Sequence, residues 1–305
     1  MTSNYDVEKG EQALPQIDEG TAAFSHIPEH GFSLFLANRT KTIHFIRHAE
    51  GTHNEANQAW GSDLPCTVGT PNAWNYMDAR LTNNGIGQCI KVRNELLADG
   101  TVKPELIVVS PFTRTLQTAH IIFCGTGVPF LVHSLCQERW GKYTCDKLRP
   151  KSEIVSDMAS VYAATGDAID FDSFSYPTEE DELWKDSREP DEVCTARGIA
   201  MMEWLATRPE TEIAVVTHSS WLKHLFRAFG ETIHEKDKSK MHRLACNAEV
   251  RSICLACHKG FYPPGSWAGK TDIFVPDHIS FRKGKWAPTN ALISDIHRTV
   301  RNRNK

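Results

Sequence analysis

No apolar run in this 305-residue chain comes near the roughly 20 residues that cross a bilayer as a helix. The opening residues, MTSNYDVEKGEQALPQ, are polar and acidic and hold no apolar signal-peptide core. A cytoplasmic protein with no membrane partner is the resulting expectation. An excess of positive charge is lacking as well. The formal net charge is -4, which argues against a general nucleic-acid binder. No internal repeat is visible.

A disulfide framework is also missing. The nine cysteines are odd in number and scattered, which suits free thiols in a reducing compartment. Cys254-Leu-Ala-Cys257-His258 has the spacing of a c-type haem attachment and contains a C-x-x-C pair. Its surroundings (Val250, Ile253, Leu255) read as a strand, in which positions i and i+3 face opposite ways. Zinc would need two further ligands, and there is no second C-x-x-C. These are read as core cysteines, and no metal or other cofactor is expected. A chain of this length buries roughly three-quarters of its unfolded surface, so its core needs no such staple.

What the chain does have is alternation of strand and helix patterns. Apolar runs at 42–46, 106–109, 130–132 and 213–216 read as strands. Helical periodicity appears over 84–98, 112–123, 191–206 and 220–229. In the first of these helices, Ile86, Cys89, Ile90, Val92, Leu96 and Leu97 are placed mostly on one stripe. This alternation predicts an α/β protein, a three-layer α/β/α sandwich on a largely parallel sheet. Residues 1–40 read as an N-terminal extension and 259–305 as a C-terminal extension with an excess of Lys and Arg. The domain between them, 41–258, carries insertions near 57–77 and 150–190. Residues 167–192 hold eleven acids against Lys185 and Arg188. They read as a solvated loop or helix start, or as a lid over a site.

Three predicted strand ends share a chemistry. The first delivers Arg47 and His48, the second Ser110 and then Arg114, the third Thr217 and His218. In a parallel sheet these carboxyl ends lie on one edge, where α/β folds bind ligands. Ser110 and Ser219 are expected to cap the helices that follow, aiming helix N-termini at the same place. Everything gathered there is cationic or donating. The fitting guest is an anion, and a tetrahedral phosphoryl group suits such a cradle. Taken singly, each residue could be a surface charge or a satisfied core histidine. Repetition at three strand ends argues otherwise.

The motifs give this pattern a family. R-H-A-E-G-T-H-N (Arg47, His48, Glu50, Asn54) is followed by D-A-R-L-T-N-N-G-I-G-Q and S-P-F-T-R-T-L-Q-T-A (Ser110, Arg114, Thr118). Then come Q-E-R-W-G (Glu138, Gly141), V-V-T-H-S (His218) and C-N-A-E-V-R (Asn247, Glu249). In order and spacing over about 42–256, the chain resembles the histidine phosphatase superfamily, the phosphoglycerate mutase-like fold. The segment T-C-D-K-L-R-P (Cys145, Asp146, Arg149) is similar to fungal and plant phosphatase-like members. One departure is Ala49, where the family has glycine. A second is that 147–190 has no arginine-rich segment leading into a proline run, the feature with which mutases grip a substrate carboxylate.

The resemblance implies a phosphomonoesterase acting on small phosphorylated metabolites through a phosphohistidine on His48. Arg47, Asn54, Arg114 and His218 would bind phosphate, and Glu138 would be the proton donor and then the base. Glu138 would need burial to stay partly protonated among cations. Glu50 would orient the loop, since a carboxylate facing phosphate would repel it. The alternatives are a cofactor-dependent phosphoglycerate mutase or a non-catalytic binding protein that keeps the fold. The expected partner is a small phosphomonoester, and protein partners stay open.

Overall fold

The computed structural model describes residues 40–257, apart from 99, 101, 177 and 229–234, together with the backbone of 273–275 and 279–280. Residues 1–39 of the proposed extension 1–40 and nearly all of 259–305 therefore lie outside the described residues, as does His258 of the C-x-x-C-H stretch, while Thr40 already belongs to the first strand.

The elements run β1 (Thr40–Arg47), α1 (Thr52–Trp60), α2 (Asn83–Leu97), β2 (Leu106–Val109), α3 (Thr113–Phe123), β3 (Phe130–Val132), α4 (Lys151–Ala163) and β4 (Ile169–Asp170). They continue with α5 (Asp191–Thr207), β5 (Glu212–Thr217), α6 (Ser219–Ala228), α7 (Glu235–Met241), β6 (Val250–Cys257), β7 (Ile273–Val275) and β8 (Ile279–Ser280). The strands form one sheet in the order β4-β3-β2-β5-β1-β6-β7-β8. The pairings from β4 across to β1 are parallel, and those from β1 through β6 and β7 to β8 are antiparallel.

Strand alternation splits the core into two layers. Ile43, Phe45, Leu106, Val108, Ile213 and Val215 face α5 and α6, packing on Met201, Leu205, Trp221 and Leu225. Ile46, Ile107, Val109, Ala214 and Val216 face α2, α3 and α4, packing on Cys89, Leu116, Ile122, Ile154 and Met158. The central strands are apolar on both sides because helices cover both. This is the α/β/α sandwich that the alternation predicts.

Two local readings change. The inward stripe of α2 is Gly85, Cys89, Val92 and Leu96, while Ile86 and Ile90 face outward, 39% and 48% exposed. The cause is a close backbone approach. A Cβ on Gly85 would lie 2.1 Å from the Glu50 carbonyl oxygen, so the bare glycine sets which face turns inward. The acidic stretch is not uniformly solvated either. Asp181 accepts from the Leu148 and Trp184 amides, Glu179 from Ser152, and Glu189 is locked to Arg197. Residues 57–77 finish α1 and then form two single 3-10 turns, Leu64–Cys66 and Ala73–Tyr76. No helix among the described residues is long and apolar enough to cross a membrane. Of the described cysteines, five are buried and Cys246 is exposed, and all are free thiols.

Candidate active site

Register brings the strand ends together. Arg47 of β1 pairs with Thr217 of β5, and Val109 of β2 pairs with Val216. The next residues along, His48, Ser110 and His218, therefore leave the sheet side by side. The His48 and His218 rings lie 5.2 Å apart between centroids. Both side chains are almost completely buried.

His48 is held in one tautomer. Its Nδ1 lies 2.7 Å from the Ala49 carbonyl oxygen, which can only accept, so Nδ1 carries the proton and Nε2 the lone pair. Burial, then Arg114, Arg47 and the neighbouring histidines, hold its pKa well below the usual imidazole value. The ring is neutral, with a free nitrogen lone pair. The Ala49 amide donates to Thr118, and the backbone at Ala49 is not left-handed, so alanine fits where the family has glycine.

His218 is oriented by Ser110, whose Oγ lies 2.7 Å from Nε2. Ser110 is fully buried, and its hydroxyl has no other acceptor among the described residues. The hydroxyl therefore donates to Nε2, and Nδ1 carries the proton. That Nδ1 is buried and unpartnered. Ser110 thus serves the histidine rather than capping α3. The α3 amide at Thr113 donates instead to Asp78, 2.8 Å away. Ser219 is likewise the first residue of α6 and no cap. Its helix is held by Glu138, whose Oε1 accepts from the Trp221 amide at 2.9 Å and the Arg139 amide at 2.8 Å, with Ser220 donating to Oε2 at 3.2 Å. A carboxylate reaches both orphan amides at once from a neighbouring loop, which a short serine side chain does not.

Two guanidinium groups complete the ring. Arg47 Nη1 donates to the Ala245 carbonyl at 2.7 Å. Arg114 Nη1 donates to the Cys145 carbonyl at 2.7 Å and Nη2 to Asp146 at 3.1 Å, with its guanidinium 4.3 Å from the Phe112 ring centroid. The Nε–H of each arginine is buried without a partner. Asn54 has its amide oxygen filled by the Gly51 amide and Asn247 Nδ2, each at 3.1 Å, and its own Nδ2 is a donor with no partner among the described residues. Buried donors left unpaired cost on the order of 1–3 kcal/mol each and call for an explanation. An oxyanion would satisfy all of them.

Glu138 is buried beside this set. Burial, and then Asp146, push its carboxyl up, against the pull of Arg188, the Arg139 amide and Arg114. The net upward direction is the one a proton donor needs. Glu50 is turned away: its oxygens accept from Thr82 at 2.7 Å and Asn84 at 3.1 Å. It braces the loop.

Several residues here have roles that the sequence reading did not assign. Asp146 bridges Arg114 to Arg188, 2.7 Å away on the acidic segment. Arg197 grips Glu189 with two 2.9 Å bonds and donates to the Leu135, Gln137 and Glu138 carbonyls. It fixes the loop that carries Glu138. Gly141, at φ 81°, lets the acidic segment cross tightly, since a Cβ there would lie 2.0 Å from the Ser187 oxygen. His53, inside the quoted R-H-A-E-G-T-H-N stretch, is buried next to His48. The only signal for it was proximity in sequence.

Glu249 pins the loop that supplies Ala245 and Asn247. It accepts from Arg243 at 2.7 and 2.8 Å, from Arg251 at 2.9 Å and from the Cys246 amide at 2.6 Å. Burial alone would raise its carboxyl, but these bonds outweigh it and lower the pKa to about 2. A depressed carboxylate stabilises the fold above its unfolded pKa of about 4.5, and that contribution is lost as pH falls toward 2. Glu249→Gln is expected to destabilise by about 1–3 kcal/mol at pH 7. The gap to the wild type should shrink in urea melts as pH drops below about 4.5. A gap that does not change with pH would remove the charge from this account.

The fold and the site together define an α/β protein with a neutral histidine set inside a cradle of anion-seeking donors. A family model described as the Histidine phosphatase superfamily (branch 1) matches residues 43–259, and the chain belongs to that family. A "Phosphoglycerate mutase-like protein" of Arabidopsis thaliana is 34% identical over 259 residues, covering 74% of this chain and 88% of its own. "Phosphoglycerate mutase-like protein 1" of the same plant is 31% identical over 296 residues, covering 87% and 96%. Among solved structures, a phosphoglycerate mutase from Bacillus anthracis aligns over 84% of this chain and 97% of its own at 15% identity and TM-score 0.46.

Proposed function

We propose that this chain is a cytoplasmic phosphomonoesterase that works through a phosphohistidine on Nε2 of His48, without a metal. The observation that carries the reading is the Nδ1–Ala49 hydrogen bond, which leaves a neutral Nε2 lone pair beside Arg47, Arg114 and His218. Nε2 attacks phosphorus in line, the P–O bond to the leaving group breaks, and Glu138 gives that oxygen its proton. Glu138, now ionised, takes a proton from water as the water attacks phosphorus. The P–N bond then breaks, releasing orthophosphate and restoring His48. Arg47, Arg114, His218 and Asn54 hold the phosphoryl oxygens throughout. Two guanidinium groups at the site neutralise charge and repel a divalent cation, which supports the metal-free form of the reaction.

Phosphatase is favoured over mutase by the state of the arginines in 147–190. Arg149 is bound to Asp78, Glu153 and Asp157, and Arg188 to Asp146. Neither is left to grip a substrate carboxylate. The full chain is expected to release phosphate from p-nitrophenyl phosphate at an unchanged rate in excess EDTA. A loss of more than tenfold that a divalent metal restores would overturn the metal-free mechanism. No release from any of a panel of sugar phosphates, nucleotides and aryl phosphates would overturn the phosphatase reading.

A further inference from the structure

His53 stands in the site without a structural task. It is the second residue of α1 and only 5% exposed. Its ring centroid lies 5.6 Å from that of His48, at 46°. Nδ1 is fully buried and unpartnered, and no described residue exchanges a hydrogen bond with Nε2. The ring is seated on bare backbone: a Cβ on Gly51 would come within 2.8 Å of Nδ1 and 2.9 Å of Cε1. Glycine at 51 therefore makes room for this imidazole. Other buried histidines are used differently. His44 reaches Ser252 and Glu212, and His133 accepts from the Leu135 amide. A buried imidazole nitrogen without a partner is destabilising, and the ring lies where the two guanidinium groups act on it.

Building on the phosphatase reading, we propose that His53 is a further binding residue, with Nε2–H donating to a phosphoryl oxygen of the group held at His48. Nδ1 faces the Gly51 backbone and has no donor to accept from. Nε2 is the nitrogen left to meet a ligand, and as the protonated one it matches an acceptor-only dianion. Burial, Arg114 and Arg47 keep the ring neutral before the anion arrives, so it adds a donor without adding a third cation to the cradle. The site then holds two guanidinium groups, the His218 and His53 N–H groups and the Asn54 amide around one tetrahedral anion.

Methionine and glutamine have similar volumes and differ in carrying a donor, so they separate hydrogen bonding from packing. Calorimetric titration of the full chain with inorganic phosphate is expected to show about tenfold weaker binding for His53→Met, near 1.4 kcal/mol. His53→Gln should bind within about threefold of the wild type, and thermal melting should show both variants folded. Binding by His53→Met equal to the wild type, or equal weakening in both variants, would overturn the proposal. The imidazole nitrogen resonances of the wild type give a check that needs no mutation. The His53 Nε2–H should shift on saturation with phosphate, and a resonance that stays put would also overturn it. Arg114→Met separates the two readings. If the wild type binds phosphate and Arg114→Met does not, an unaffected His53→Met sinks only the role of His53. If the wild type itself binds none, the anion site falls with it.

Discussion

Replacing His48 with alanine is expected to reduce release of phosphate from p-nitrophenyl phosphate by at least about a thousandfold, on the scale seen when a nucleophile is removed. The same substitution should abolish acid-labile labelling of the protein by a ³²P-labelled substrate. The size of the effect follows from the geometry. Nδ1 is committed to the Ala49 carbonyl, so Nε2 is the nucleophilic nitrogen of this side chain, and no described side chain stands in for it. His53 and His218 are close, but Ser110 and the Gly51 backbone fix them for other contacts. The charge state can be followed as well. Because burial and the two arginines hold the His48 pKa well below 6.5, its ring should stay neutral as pH falls through 6.5 in a nitrogen NMR titration. A variant with near wild-type turnover, or a wild-type ring that titrates at 6.5, would contradict this mechanism.

Arg114→Met is expected to lower kcat/KM by about a hundred- to a thousandfold, the usual cost of losing a preorganised donor to a charged transition state. It should also destabilise the fold by about 2 kcal/mol. Breaking a buried ion pair costs roughly 3–5 kcal/mol when the partner is stranded. Here Asp146 keeps Arg188, so the penalty falls below that range. Arg114→Lys separates the two effects. It keeps the charge beside Asp146 but lacks the planar fork that reaches the Cys145 carbonyl and Asp146 together and, in the proposed reaction, would also grip a phosphoryl oxygen. It should recover most of the stability in urea melts and little of the activity. Arg114→Met with kcat/KM within threefold of the wild type would remove Arg114 from the reaction.

The strands that lead to the site were legible because β2 and the centre of β5 are apolar throughout, Ile43, Phe45 and Ile46 mark β1, and all three end in chemistry. Leu106–Val109 and Phe130–Val132 have the predicted bounds, and β1 and β5 extend the predicted runs by one or two residues at each end. The motif around Arg47 and His48 was legible for the same reason: local sequence fixes local backbone, and register then places the next residue. Glu50 was readable from charge alone, since a carboxylate has no place against a phosphate.

Other features depended on contacts distant in sequence. Ser110 has the residue type and position of a helix cap, and only the 2.7 Å approach of His218, 108 residues away, gives its hydroxyl another partner. Glu138 has neighbours in sequence that suggest a surface pair with Arg139. Instead it takes the amides of α6, and Arg139 pairs with Asp191 at 2.5 Å. The acidic segment looked solvated because charge is the signal a sequence gives, while Arg197 and the Leu148 amide, which donate to Glu189 and Asp181, lie outside it in the chain.

The sequence by itself determined the sandwich, the three strand ends and the kind of ligand they suit. Periodicity and residue chemistry are local properties, and these features follow from them. The tertiary structure decided which nitrogen of each histidine is free, which arginine N–H groups stay unpaired, and that His53 lies buried beside His48. Each of these is set by a partner brought in from a distant part of the chain, and a hydrogen bond depends on where that partner sits to within a few tenths of an ångström.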